Sequence, residues 1–149
     1  MKRLSRLINL NDYLRGLRPP LGAEACVVHV VDQENAAAAL SRAAGDQIVV
    51  AVPECVEQGR SSDSFSSTVS AAFFVLAKVN GPSRTQATTD EAYGRLLALA
   101  QEMLSVIERD LTSGGCRLIS GLVLSEVRTV PQYSIFGGWS GWSVEMTFE

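Results

Sequence analysis

The stretch TTDEAYGRLLALAQEMLSVIERDL, residues 88–111, decides the fold because it encodes one long amphipathic helix. Thr88 and Glu91 have the spacing of a capping box, in which a hydroxyl and a carboxylate satisfy backbone N–H groups where a helix begins. Gly114 and Gly115 follow the stretch and predict its end. Apolar side chains recur at helical spacing in one stripe: Ala92, Leu96, Leu99, Ala100, Met103, Leu104, Ile107 and Leu111. Such a one-sided helix must cover a flat partner, and the segments around it predict strands.

Two further helices are predicted in the first third of the chain. The first is amphipathic and ends before Pro19–Pro20, with an apolar face of Leu4, Leu7, Ile8, Leu14 and Leu17. Its other face is basic and carries Lys2, Arg3, Arg6, Arg15 and Arg18. This face either docks onto an acidic partner or a membrane surface, or is simply solvated. Asp32 predicts the cap of a short helix over residues 35–43.

Three strands are predicted between these helices. Residues 26–31 and 47–53 are rich in β-branched side chains and apolar on both faces, as in a covered sheet. Residues 65–79 are long enough for an extended strand and form a hairpin with residues 47–53. The hairpin tip, residues 54–64, is polar and predicts a mobile loop.

After the long helix, residues 116–130 predict one strand bent at Gly121 and ended by Pro131. Residues 132–141 predict a connection rich in glycine and aromatic residues. Residues 142–148 alternate cleanly between apolar and polar side chains, which predicts a half-exposed strand paired antiparallel with residues 116–130. The predicted fold is therefore α+β in a single domain of residues 1–149, with three helices packed on a mixed, mainly antiparallel sheet of about five strands.

The composition favours a soluble globular protein, and the net charge does not indicate binding to nucleic acid. The chain has 46% hydrophobic and 19% charged residues, with a net charge of −3. Its apolar runs are too short for the roughly 20 residues of a transmembrane helix. Polar residues interrupt the N-terminal segment, so a secretory signal peptide is not expected. Cys26, Cys55 and Cys116 form no CxxC pair and are typical of reduced thiols in the cytosol.

No residue pattern indicates catalysis or a cofactor. His29 is the single histidine, which excludes His-pair zinc motifs, and its place among valines favours a partly buried, hydrogen-bonded side chain. Ser140 does not lie in a GxSxG elbow, and phosphate-binding glycine loops are missing. Cys26 and Cys116 are expected to be small buried hydrophobes, so Cys55 is the one thiol that merits a test. The sequence thus predicts a protein that is not an enzyme and holds no metal or cofactor.

The aromatic segment is the remaining candidate for function. Tyr133, Phe136, Trp139 and Trp142 lie beside glycines and could form a contact patch, since tryptophan and tyrosine anchor interfaces. The alternative is that Trp142 packs in the core and Trp139 covers a sheet edge. Arg60, in the predicted polar loop, is the fifth candidate interface residue.

The order of elements, closing on GWSVEMTF at residues 141–148, resembles the tail terminator or tail completion proteins of long-tailed bacteriophages, the minor tail protein U type. The resemblance implies a ring, often a hexamer, that caps the tail tube and joins other tail or neck proteins. It implies contacts through residues 54–64 and 132–141, and a location in the host cytoplasm during assembly and then in the virion. No family residue carries over individually.

Two other functions remain open on the sequence. The chain could be a small dimeric ligand-binding or regulatory α/β domain, or an enzyme with a thiol at Cys55. A stable dimer that binds a metabolite would favour the first, and loss of a measured turnover in Cys55→Ser would be needed for the second.

Overall fold

Three helices and six strands make up the described part of the chain. The computed structural model describes residues 2–61, 64–79, 85–112, 116, 119 and 121–149. The elements are α1 (Lys2–Arg15), β1 (Ala25–Val30), α2 (Gln33–Leu40), β2 (Asp46–Ala51), β3 (Glu54–Ser61), β4 (Ser64–Ala77), α3 (Gln86–Thr112), β5 (Leu124–Ile135) and β6 (Trp139–Phe148). The predicted α+β fold is confirmed, with six strands instead of about five because β3 was not foreseen.

The strands form one sheet in the order β1-β2-β4-β6-β5, and β3 pairs with β4 beyond the end of β2. Among the described strands, only β1 and β2 run parallel, and they are joined through α2. The other pairs are antiparallel, as predicted for a mixed and mainly antiparallel sheet. The long strand β4 is central, since it pairs with β2 and β3 along one side and with β6 along the other.

The prediction that residues 54–64 form a loop is wrong. Residues Glu54–Ser61 are β3, and Glu54 pairs with Ser70 of β4 in an antiparallel hairpin. β3 pairs with β4 alone among the described strands, and a strand at a sheet edge does not need apolar residues on both faces. Because its sequence is polar, β3 was not recognised as a strand from the sequence. Arg60 belongs to this strand, but its side chain lies outside what the structure describes.

The long helix begins at Gln86, two residues before the predicted start. The capping box is formed by Thr85 and Thr88: the Thr88 N–H donates to Thr85 Oγ1 at 3.1 Å, and the Thr85 N–H donates to Thr88 Oγ1 at 2.9 Å. Glu91 instead pairs with Arg95 one turn further on, at 2.8 Å. The glycines predicted to end the helix lie outside the described residues. The predicted stripe is buried at Ala92, Leu96, Leu99, Ala100, Met103 and Ile107.

The main core lies between one face of the sheet and the two helices α1 and α3. Alternate residues of the central strands point into it, among them Phe73 on β4 and Met146 on β6, which are 0% and 1% exposed. The Tyr13 hydroxyl on α1 donates to Asp110 Oδ2 on α3 at 2.6 Å and ties the two helices together. None of the helices in the described part of the chain is long and apolar enough to cross a membrane.

The second face of the sheet is covered only by α2. The Asp32 side chain caps this helix, as predicted, by accepting from the Asn35 N–H at 2.8 Å. The helix ends at Leu40, earlier than expected. Its residues pack on a small second core of Val30, Ala36, Leu40, Val49, Leu76 and Trp139. The rest of this face has no helix on it among the described residues.

The C-terminal hairpin differs from the prediction at its first strand. β5 begins at Leu124, after Gly121 in a turn, and it runs through Pro131 to Ile135. A proline is tolerated there because β5 is an edge strand, where the missing N–H can point away from the sheet. The predicted connection over residues 132–141 is therefore mostly strand, and the turn between β5 and β6 is confined to residues 136–138. The predicted alternation in the last strand is confirmed over residues 144–148, where Val144, Met146 and Phe148 are buried, whereas Ser143 is also buried because β6 lies inside the sheet. The strand β6 does pair antiparallel with β5.

Candidate assembly surface

The edge strand β5 is the most exposed long element of the sheet. Among the described strands it pairs with β6 alone, and residues 125–129 are all exposed, so neither of its faces is covered there. Val127 is 36% exposed and Tyr133 is 56% exposed. Helix α3 packs on β6 and β4 and contacts β5 through Tyr93 and Gln132, while residues 125–129 stay exposed.

The hairpin turn is shaped by residues with unusual backbone angles. Phe136 and Gly137 have φ values of 51° and 89°, which a tight three-residue turn requires, and Ser134 also has a φ of 51°. The Ser134 N–H donates to Ser140 Oγ at 2.9 Å, so the buried Ser140 hydroxyl satisfies the backbone at this irregularity. Ser140 thus has a structural contact, in keeping with the prediction that it is not part of a nucleophile elbow.

The two tryptophans lie inside the fold. Trp139 is 1% exposed in the second core, and Lys78 Nζ lies 5.4 Å from its ring centroid. This burial leaves Trp139 no side-chain surface for a partner, so the suggestion that it is an exposed anchor does not agree with the structure. The turn between β5 and β6 is tighter than expected, and it places Trp139 on the strand rather than on a connecting loop.

Trp142 is partly buried and joins the hairpin to the long helix. Its indole N–H donates to the Tyr93 carbonyl oxygen at 2.9 Å, and the two rings meet edge to face with centroids 6.0 Å apart. The Tyr93 hydroxyl in turn donates to the Gln132 carbonyl oxygen at 2.5 Å. These contacts hold the hairpin against α3, which supports the alternative in which Trp142 packs against the core.

Two of the predicted residues, Tyr133 and Phe136, stay near the surface. Phe136 is partly buried and contacts Phe74 of β4 edge to face, with ring centroids 5.1 Å apart. Phe74 lies on the open second face of the sheet. Phe136 therefore forms one wall of a groove that the sequence did not reveal.

This groove runs over the open face between α2, β3 and the C-terminal hairpin. It consists of two depressions of about 690 Å³ and about 400 Å³ that share Glu145. The first is lined by Gln33, Glu34, Phe74, Gln132, Phe136 and Ser143, and the second by Val52, Glu54, Ser70, Ala72 and Thr147. We call the two together the acidic groove, because no Lys, Arg or His among the described residues lines either one.

The strand register brings the carboxylates of the acidic groove together from distant parts of the sequence. Glu54 lies opposite Ser70, and Glu145 lies opposite Ala72, two positions further along β4. Glu34 enters from the first turn of α2. Among the described residues, the cation recorded close to these carboxylates is Arg128, whose Nη1 lies 4.0 Å from Glu145 Oε2 at the β5 side.

The other residues considered from the sequence do not converge on a reactive site. The described residues include no group of three or more His, Cys, Asp or Glu side chains able to hold a metal ion. Cys26 is exposed, contrary to the prediction of burial, and His29 is more exposed than the partly buried side chain that was predicted, because β1 is an edge strand of the sheet. Cys55 and Cys116 are partly buried and pack against the main core.

A small cleft does lie beside His29, at the carboxyl ends of the parallel strands β1 and β2. It has a volume of about 160 Å³, and Asn11 and Arg15 of α1 line its far wall. Partial burial and, to a lesser degree, the positive charge of Arg15 lower the pKa of His29 below its ordinary value.

Comparison with protein-family models and with curated proteins finds no match to this chain.

Proposed function

We propose that this chain is a non-enzymatic structural protein of a phage or prophage tail, similar to tail terminator or completion proteins, which self-associates into a ring. The observation that carries the proposal is the edge strand β5, which is paired on one side and exposed on both faces over residues 125–129. An exposed strand of this length is a surface that proteins normally cover, charge or pair. Other tail or neck proteins would be further partners, met in the host cytoplasm and retained in the virion.

The composition of β5 favours contact through side chains over pairing of a second strand. Pro131 lacks the N–H that an added strand would need, and Glu126 and Arg128 put charge on the edge. Val127 and Tyr133 supply exposed apolar area beside these charges. A subunit contact of this kind joins two different surfaces, and such contacts close into rings when the rotation between subunits permits.

Analytical ultracentrifugation of the purified chain over a range of concentrations tests the proposal. We expect concentration-dependent assembly that weakens in Val127→Lys, because a charge would then be placed at the contact. Val31→Lys is the matched control, since Val31 is 71% exposed on the bend between β1 and α2. A wild-type chain that stays monomeric at every concentration, or a Val127→Lys variant that assembles as well as the control, would contradict the proposal.

The cleft beside His29 supports a second candidate, a small dimeric ligand-binding or regulatory domain. Ligand sites in α/β folds lie outside the carboxyl ends of parallel strands, and this cleft has that position next to Arg15 and His29. Titration with inorganic phosphate, followed by the NMR signals of the His29 ring, tests it. Saturable shifts that disappear in Arg15→Gln would favour this candidate, and unchanged signals would exclude a phosphate site here.

A further inference from the structure

The second face of the sheet lacks the cover that the first face has. Helices α1 and α3 both pack on the first face, whereas the second has only the eight-residue α2 at one end. Ala72 and Phe74 on the uncovered part are only partly buried. Mixed sheets in compact folds are usually covered by helices where their side chains are apolar. The acidic groove is therefore an uncovered surface on which another helix could pack.

The negative charges around the acidic groove favour the binding of a basic segment. Glu34 and Glu54 are exposed, and no cation among the described residues lies within 4.0 Å of either. Glu145 has only the long contact with Arg128. Three carboxylates around a partly apolar floor would repel one another and attract an apolar segment flanked by arginine or lysine.

The chain itself contains such a segment in α1. Residues 1–18 hold five of the 13 basic residues and one of the 16 acidic residues, so this segment carries +4 while the rest of the chain carries −7. On the outer side of α1, Ile8 is 58% exposed; Arg15, which also borders the cleft beside His29, is exposed two helical turns further on, and exposed Arg18 follows. No described carboxylate lies within 4.0 Å of either arginine.

The two surfaces lie on opposite faces of one sheet, so they cannot meet within a single chain. Ile8 and Arg15 are about 10 Å apart along a helix. Ser70 and Phe74, at the two ends of the groove floor, are about 13 Å apart along a strand. The exposed stripe of α1 thus fits the length of the groove.

Resting on the proposed function, we propose that α1 of one copy docks into the acidic groove of the next. Ile8 would contact the apolar floor at Ala72 and Phe74, and Arg15 and Arg18 would face the carboxylates. Such a head-to-tail contact joins two different surfaces and repeats from copy to copy, which is what a ring requires. It also brings residues from both segments that the resemblance implicated to one interface, Glu54 from residues 54–64 and Gln132 and Phe136 from residues 132–141.

Paired charge reversals test this interface by sedimentation velocity at low and high salt. Variant one is Arg15→Glu/Arg18→Glu, and variant two is Glu34→Arg/Glu54→Arg. Each alone should assemble about tenfold more weakly than the wild type, since attraction becomes repulsion at exposed charges. A 1:1 mixture of the two variants should assemble again, because each acidic α1 then meets a basic groove. Circular dichroism checks that both variants are folded.

A matched control and a gain-of-affinity variant complete the design. Glu102→Arg/Glu108→Arg makes the same change of charge on the outer side of α3 and should assemble as the wild type does. Asp12 is the one carboxylate on α1, lying between Ile8 and Arg15, so Asp12→Asn should strengthen assembly severalfold.

The outcomes separate this inference from the proposed function. If the wild type assembles but the reversals do not weaken it, or if their mixture fails to assemble, the docking of α1 is refuted while a ring remains. A monomeric wild type refutes both. Unchanged assembly of the α1 variant together with its loss of binding to phosphatidylserine vesicles would assign α1 to a membrane surface and refute the inference.

Discussion

The close approach of Gly141 to β4 gives the sharpest prediction about stability. Gly141 lies on β6 opposite Leu76, with a φ of 156°. A Cβ atom there would overlap the carbonyl oxygen of Val75 and lie 3.0 Å from its carbonyl carbon. Both atoms belong to the backbone of the central strand, which cannot move aside as the end of a side chain can. The two central strands would therefore be forced apart.

We expect Gly141→Ala to lower the free energy of unfolding by roughly 2–6 kcal/mol. About 1–3 kcal/mol comes from an unfavourable backbone angle for a residue with a Cβ, and a similar amount, about 1–3 kcal/mol, from overpacking against the strand. Domains of this kind have a total stability of about 5–15 kcal/mol. With an m value of about 2 kcal/mol/M, the urea midpoint should fall by about 1–3 M.

Urea unfolding followed by tryptophan fluorescence measures this change, because Trp139 and Trp142 lie on either side of Gly141. Gly94→Ala is the control, since nothing lies within 4 Å of a Cβ at this position on α3. In a helix that substitution should stabilise the protein by about 0.5–1 kcal/mol. A Gly141→Ala variant within 1 kcal/mol of the wild type would refute the close packing of β4 and β6 described above.

Two further predictions concern ionisable side chains. Burial and the hydrogen bond to Asp110 raise the pKa of Tyr13 above its ordinary value of 10.0, so the folded protein should lose stability as the pH rises above 10. Tyr13→Phe should lose about 1 kcal/mol at pH 7 and show a shallower decline at alkaline pH in thermal unfolding, and an equally steep decline would count against the contact. Because the pKa of His29 is lowered, the unfolded chain binds the proton more readily, and stability should fall as the pH drops through 6.5. NMR titration should give a His29 pKa below 6.5 that rises in Arg15→Gln; a value above 6.5 would contradict the cleft geometry.

The sequence predicted best where a pattern reports directly on burial. The stripe of α3 and the alternation of β6 each face the main core, so their periods match the observed buried residues. The strand β3 was not predicted because its sequence is mainly polar, and of its described side chains Glu54 and Val56 are exposed. The prediction that Pro131 ends its strand was wrong for a related reason. A proline ends a central strand but is tolerated in an edge strand.

The acidic groove could not be predicted from the sequence. Glu34, Glu54 and Glu145 are far apart in the chain; the register of β3 and β6 on β4 brings Glu54 and Glu145 to one depression, and the packing of α2 on the sheet brings Glu34 to the other. No local pattern encodes that register. The difference in net charge between the first 18 residues and the rest of the chain is, however, visible in the sequence. It could be interpreted only once the structure had shown the acidic groove.

The position of β6 has a consequence for how the chain folds during synthesis. β6 is the last element in chain order, yet it lies between β4 and β5 in the sheet, where Val69 pairs with Phe148. Until residues 139–148 have left the ribosome, β4 has one unpaired side, and α3 has no complete surface on which to bury its apolar stripe. Contacts this distant in sequence form slowly. The nascent chain therefore exposes the apolar stripe of α3 until β6 inserts, and a pause in translation before that point would leave the stripe accessible to chaperones.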